Sequence, residues 1–154
     1  MPNELQRLIY ASRWAPGLER RIEREVRTII QASIPRNREA DLTGLLMVHD
    51  GWFVQALEGG RPRIASAMDR IFHDPRHAEI RILSSGAVDG RAFRDWNMAA
   101  AMAGPEVQPF LTELGLLADF DAHQLDGPAA FRLMLALGEA ERARERAGLG
   151  LSAA

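Results

Sequence analysis

Two polar side chains stand where the surrounding sequence is apolar. Tyr10, the only tyrosine in the 154 residues, sits in Leu8-Ile9-Tyr10-Ala11-Ser12. Gln55 lies between Val54 and Ala56, in a run that also holds Phe53 and Leu57. A buried primary amide must find partners for its carbonyl and its NH2, or it costs about 1–3 kcal/mol. Tyr10 and Gln55, carried side by side under covering helices, must satisfy each other or share a ligand. Asn37 is a third polar group near the same edge, and Ile29 and Ile71 are placed to form two apolar walls. A flat heteroaromatic ring held between such walls and hydrogen-bonded along its rim is one reading. A packed core with a tyrosine–glutamine bond and no ligand is another, and a Gln55 that faces solvent is a third. The residue chemistry alone leaves these open.

Other chemistry is poorly provided for. The chain has no cysteine and no lysine, so disulfides, thiolate metal sites, cysteine nucleophiles and lysine Schiff bases are excluded. His49, His73, His77 and His123 lack metal-ligand spacing, and no metal site is expected. Asp74 and His77 read more readily as helix-end punctuation than as an acid–base pair. No serine lies in a nucleophile elbow, and there is no phosphate loop or dinucleotide fingerprint. A net charge of −2 gives no footprint for nucleic acid. No apolar run approaches the ~20 residues that span a bilayer. The first residues do not form a signal peptide, and a cytoplasmic protein is expected.

The elements that must position these residues follow from periodicity. Residues 4–13 alternate as a first strand. Residues 18–34 place Leu18, Ile22, Val26, Ile29, Ile30 and Ser33 on one helical face, and Ile34-Pro35 ends that helix. A polar loop over 36–41, which contains Asn37, leads into two strands joined at Asp50-Gly51, a strong two-residue hairpin signal. The unbroken apolar run Leu45-Leu46-Met47-Val48 reads as a strand buried on both faces. A second amphipathic helix covers 62–73, a fourth strand 79–88, and a fifth strand 96–100. Two helices follow, over 105–117 and 128–147, the second started by Pro128 with Asp126 as cap. The end from 148 to 154 reads as frayed. The fold class is α+β: a ferredoxin-like β-α-β-β-α-β sheet with a fifth strand, two helices on one face and two C-terminal helices. In that plan the first and third strands are neighbours, which brings Tyr10 to Gln55.

At this point the chain resembles the BLUF domain family, blue-light sensors that use flavin. The resemblance covers about residues 5–100. It rests on Leu8-Ile9-Tyr10-Ala11-Ser12-Arg13, on Asn37 before Leu42-Thr43-Gly44, and on Gly51-Trp52-Phe53-Val54-Gln55 with Leu57-Glu58-Gly59. It also rests on Arg70-Ile71 leading to Asp74-Pro75-Arg76-His77, and on Phe93-Arg94-Asp95-Trp96-Asn97-Met98. It implies a flavin cofactor, FAD first and FMN as the alternative. It implies that Tyr10 gives an electron and a proton to the excited flavin, so that the bound flavin is transiently photoreduced. Gln55 is implied to be the glutamine that then rearranges its hydrogen bonds. Asn37 matches the residue holding the pyrimidine edge, and Ile29 and Ile71 match the side chains that sandwich the ring. Ser33 matches a serine near the tyrosine–glutamine pair. Arg36, Arg70, Asp74, Arg76 and His77 match positions at the ribityl and phosphate end, and Trp96 and Met98 match the pair that relays the signal.

The resemblance further implies a sensor rather than an enzyme: residues 1–104 as the flavin-binding domain and 105–154 as a helical extension of the same unit. Nothing after residue 104 matches an effector. A stand-alone member would act through an unknown downstream protein, and as a homo-oligomer, with no membrane and no nucleic acid involved. The last helix, through Phe131, Met134, Leu135 and Leu137, offers a broad apolar face for a partner or a second copy, unless it only covers the sheet. Arg36 and Asn97 depart from the residues common at their positions, and Ala99 to Ala101 make the fifth strand bland. The alternative class is a small α/β binding or assembly module with a vestigial flavin pocket. An acylphosphatase-like enzyme on the same plan is disfavoured by the missing phosphate cradle.

Overall fold

A computed structural model describes residues 4–148 of the chain. The hairpin expected at Asp50-Gly51 is present. Both residues take positive φ, 47° and 88°, as a tight two-residue turn between twisted strands requires. The turn joins β2 (Thr43–His49) to β3 (Trp52–Gly60), and Leu45 to Val48 are buried on both faces as their unbroken apolarity predicts. Before them come β1 (Leu5–Trp14) and α1 (Ile22–Ala40); after them come α2 (Arg61–Phe72) and β4 (His77–Ala87). The strands form one sheet in the order β4-β1-β3-β2-β5, where β5 is the short strand Ala100–Met102. All neighbours are antiparallel except β2 and β5. The split arrangement is therefore as expected, with β1 beside β3 and Tyr10 directly opposite Gln55 in the register.

The sheet is covered on both sides. Phe53 and Leu57 of β3 join Tyr10, Leu46 and Val48 under α1 and α2, where Val26, Ile30, Ile64 and Met68 close the layer. Trp52, Val54 and Ala56 point the other way, into a second core with Ile9, Leu45, Met47 and the C-terminal helices. These are α3 (Gln108–Glu113) and α4 (Gly127–Arg146). The start of α4 is as the sequence predicts: Pro128 stands in the first turn and the Asp126 carboxylate accepts from Ala129 N at 2.8 Å. Leu133, Met134 and Leu137 are fully buried, so this face of α4 covers the sheet rather than standing open to a partner.

Three boundaries differ from the sequence-based expectation. First, α1 does not stop at Pro35 but runs through it to Ala40, so Asn37 is helical rather than in a loop. Proline removes one backbone donor, yet the later turns are held by other means. Asp41 takes a left-handed cap at φ 55°, Leu42 N donates to Asn37 O at 2.8 Å, and Asn37 itself is buried. Second, the helix expected over 105–117 is only one 3-10 turn and the six-residue α3. Gly115, at φ 73°, turns the chain out, with Leu116 N on Leu111 O at 2.8 Å. Third, the ladder of β5 lies at 100–102, not 96–100. Residues 93–98 run beside β2 irregularly, touching it through Gly44 N to Trp96 O at 3.1 Å. Gly44 is required there, since a Cβ would lie 2.2 Å from Ala56 O and 3.0 Å from the Met98 methyl. Of the frayed end expected over 148–154, residues 149–154 lie outside the described residues.

Candidate functional site

The sheet's alternation puts Tyr10, Ser12, Phe53 and Gln55 on the face covered by α1 and α2, and the two helices do not close over them completely. Between the helices lies a cavity of about 110 Å³, room for several waters. A polar pair inside a packed core would border no such space. The β-strands supply its floor, with Tyr10 and Gln55 among the lining residues. From α1 come Ile29, Ser33, Arg36 and Asn37, and from α2 come Arg70 and Ile71. The loop after α2 and the start of β4 bring Asp74, Arg76 and His77. The helical spacing of Ile29, Ser33, Arg36 and Asn37 places them along one side of α1, so one apolar wall also carries polar groups.

The hydrogen bonds at the floor have a definite sense. The buried Tyr10 hydroxyl donates to Gln55 Oε1, and Gln55 Nε2 donates to Met98 Sδ at 3.3 Å. A thioether has no hydrogen to donate, so the amide must turn its NH2 to Met98 and its carbonyl to the phenol. Burial first, and the nearby Asp74 second, push the Tyr10 phenol far above the ordinary range, so it keeps its proton in the resting protein. Asn37 Nδ2 donates to Asn97 O at 2.9 Å, and Asn97 Nδ2 donates to Leu42 O at 3.1 Å. Asn37 Oδ1 is left without a protein partner among the described residues.

Charge at the mouth is uneven. The Asp74 carboxylate is gripped by Arg76, with Nε to Oδ1 at 2.9 Å and Nη2 to Oδ2 at 2.7 Å. Burial would raise the Asp74 pKa, but the hydrogen bonds and charge of Arg76 override it and hold Asp74 below the usual range. Arg76 also approaches Glu25 of α1 at 3.7 Å. Its charge is thus committed to carboxylates. Arg36 and Arg70 have no ion-pair partner among the described residues, and burial together with the neighbouring Arg36 lowers the Arg70 pKa. Two guanidinium groups that repel each other at the rim of a hollow suit an anion.

His77 lines the same cavity as Arg36, Arg70 and Arg76, and shares a 2.7 Å hydrogen bond with Ser12 through Nδ1. Its ring lies edge-on to Tyr10 at 5.9 Å and against Phe53 at 4.9 Å. Burial lowers its pKa to about 4, while Asp74 and Arg76 act in opposite directions. Ser12 was visible in the sequence only as a member of the Leu8 to Arg13 run, with no role of its own.

Trp96 and Met98 do not share a face. Met98 is buried on the cavity side, bonded to Gln55, whereas Trp96 is buried in the core beneath α4. Its indole Nε1 donates to both Glu145 oxygens, at 2.9 and 3.0 Å, and the Arg142 guanidinium lies 4.9 Å from its ring. Arg142 also binds Asp95 and donates to Ala92 O at 2.8 Å. Neither Glu145 nor Arg142 was singled out in the sequence, because nothing local marks a surface-type charge 47 residues away as the partner of Asp95.

Known proteins place this arrangement. A family model described as "BLUF: Sensors of blue-light using FAD" matches residues 5–99. The photoactivated adenylate cyclase subunit beta of Euglena gracilis is 36% identical over 63 residues, which are 41% of this chain and 7% of that protein. The chain therefore spans only a small part of the cyclase subunits it matches. The dark-state structure of BlrB, a BLUF protein, superposes with a TM-score of 0.71 at 27% identity, covering 91% of this chain and 99% of that one. The photo-activated state of BlsA gives 0.79 at 24% identity, covering 87% and 94%, and speaks for the fold. A bacterial light-regulated adenylyl cyclase gives 0.63 at 27% identity, covering 74% of this chain and 34% of that one. A BLUF domain binds flavin, is a photosensor and is not catalytic by itself. No described helix is long and apolar enough to cross a membrane. With the matched residues carrying the whole Tyr10–Gln55 floor and both helices above it, the chain belongs to the BLUF family of blue-light sensors.

Proposed function

We propose that this chain is a blue-light receptor in which Tyr10 is the electron donor and Gln55 the hydrogen-bond switch. The observation that carries the reading is the oriented chain Tyr10–Gln55–Met98, buried at the floor of a hollow that two helices leave open. A flavin bound in that hollow supplies an oxidant that exists only under blue light. Ile29 and Ile71 are the walls against its ring, Asn37 and Gln55 its edge partners, and Ser33 lies beside the Tyr10–Gln55 pair. Arg36 and Arg70 face its phosphate, with Asp74, Arg76 and His77 along its side chain. FAD is the expected form, with FMN able to satisfy the same ring contacts.

The residues' own chemistry supports those roles. Tyr10 is the sole tyrosine, it is protonated, and its proton already lies on a bond to Gln55 Oε1, so electron loss is followed by a proton path that needs no rearrangement of the phenol. An amide that trades its carbonyl and NH2 faces can no longer donate to Met98 Sδ. Among the described residues that bond is the only one between Gln55 and the segment before β5, and Trp96 in the same segment is tied to α4. Loss of the Met98 contact thus biases an element held from both sides. Residues 1–104 sense and 105–154 extend the same unit, and the output is a change in contact with a second copy or a downstream partner in the cytoplasm. The test is optical. Purified protein should be yellow, and blue light should shift its absorption to the red, reversibly in the dark. Tyr10→Phe should stay folded and yellow but lose the shift. A colourless protein that no flavin restores would point instead to a vestigial pocket.

A further inference from the structure

We propose that His77 and Ser12 form a positioning pair that keeps an uncharged imidazole against Tyr10, and that this neutrality decides how readily Tyr10 gives up its electron. The inference rests on the flavin-sensor reading of the same site. Three features of the surroundings favour the neutral ring. The half-buried imidazole packs against Phe53 and Tyr10, and this loss of water around the ring disfavours its charged form. Its bonded partner, Ser12, is a hydroxyl with no exposure, able to donate or accept and so satisfying Nδ1 without drawing a proton onto the ring, as a carboxylate there would. The one carboxylate nearby, Asp74, is held by three side-chain hydrogen bonds from Arg76, which offsets its pull.

The other charged groups around the site do not restore that pull. From α1 the cavity receives Arg36, from α2 Arg70, and Glu25 of α1 is reached only through Arg76. β1 and β3 present Tyr10, Ser12, Phe53 and Gln55, none of them an acid that is ionised at neutral pH. Loss of water and the Arg76 charge oppose protonation of His77, and Asp74 favours it.

The consequence lies in the electron step. A bound flavin would supply, when excited, an acceptor for one electron from Tyr10, and the bond to Gln55 Oε1 would give the phenolic proton its way out. Until that proton left, the phenol would carry positive charge. A second positive charge at the 5.9 Å ring separation opposes that state, on the order of a hundredfold at an effective dielectric of about 20. A neutral imidazole imposes no such penalty. His77 is thus a positioning residue whose contribution is the absence of charge, and Ser12 holds it in register without supplying one.

The experiment uses the whole chain. In flavin-free protein, ring-nitrogen NMR of His77 followed from pH 7.5 to 5.5 should show a neutral imidazole throughout. Titration near the ordinary histidine value would overturn the neutrality, whatever the flavin does. In flavin-loaded protein the variants His77→Gln and His77→Arg are compared at equal flavin occupancy, because His77 also borders the cavity. His77→Arg, with circular dichroism unchanged, should give a red-shift yield at least tenfold below that of His77→Gln. A wild-type yield in His77→Arg overturns the proposal. If that variant does not fold, wild type and His77→Gln are compared as the pH is lowered from 7.5 to below 4, past the range in which His77 stays neutral. A fall in yield on the acid side that His77→Gln lacks supports the proposal, and identical profiles overturn it. Absence of any shift in wild type at all pH values strikes the flavin reading instead, and leaves the NMR result to decide the charge of His77.

Discussion

Trp96 and Met98 are two residues apart and lie on opposite faces of the sheet. An extended strand would send them the same way. The irregular backbone between Phe93 and Met98 separates them, so one segment touches the Gln55 amide on one side and Glu145 of α4 on the other. The two helical layers of the molecule are thereby joined through a stretch of a few residues.

That join can be cut at Glu145. Glu145→Ala leaves the Trp96 indole N–H without its carboxylate and should cost about 1–3 kcal/mol in a urea titration. The more telling readout is hydrogen exchange in dark and light. Wild type should show light-dependent protection over residues 127–146, and the variant should keep the change around Tyr10 and Gln55 while losing it in α4. Unchanged light-dependence in α4 would mean that the signal leaves the sheet by another route.

Asn37→Ala should weaken flavin retention by about one to two decades, the equivalent of about 1–3 kcal/mol of lost buried hydrogen bonding. Isothermal titration of the apoprotein checks this. Part of the loss is indirect, because Asn37 also fixes the Asn97 carbonyl. Equal affinity in variant and wild type would remove Asn37 from the site.

Much of this site was legible in the sequence. An amide inside Val54-Gln55-Ala56 has to be explained, and β-strand alternation with the β1–β3 pairing brings it to Tyr10. The Asp50-Gly51 turn and the Pro128 helix start are local chemistry, and both hold. What was not legible depends on distant partners. Pro35 is a helix stop by local rules, but the Asp41 cap and the buried Asn37 carry α1 past it. The position of β5 is set by its ladder with β2, not by its own bland alanines. Trp96 and Glu145 are 49 residues apart, and no periodicity joins them.

Glu58 shows the same point for stability. It is fully buried and accepts from Arg7 Nε at 2.8 Å, Thr43 Oγ1 at 3.2 Å, Ala92 N at 2.8 Å and Phe93 N at 2.9 Å. One carboxylate anchors the start of the relay segment to β1 and β2. Glu58→Ala takes the carboxylate from Arg7 Nε, leaves the Ala92 and Phe93 backbone donors unpaired, and should cost about 3–5 kcal/mol. Denaturant midpoints would show it. A loss under 1 kcal/mol would mean that the segment is held by Arg142 instead.

Stability should fall on acidification in a way that reports His77. Its pKa is lowered to about 4 in the folded protein from an ordinary 6.5. The unfolded chain therefore binds this proton first as pH falls. The stabilisation is complete above about pH 6.5 and is lost progressively towards pH 4, by up to about 3 kcal/mol. Asp74, held below its usual range, acts in the same direction at lower pH. His77→Gln isolates the histidine contribution: its stability should vary less than wild type between pH 6.5 and 4.5. Parallel curves would show that His77 titrates normally.

The central claim is that Gln55, bonded to Tyr10 and Met98, is the switch. The direct measurement is the light-minus-dark absorption spectrum of flavin-loaded wild type beside Gln55→Leu, which fills the same space without an amide. Wild type should give a red shift that decays in the dark, and Gln55→Leu should bind flavin and give none. A full, reversible shift in Gln55→Leu would contradict the account.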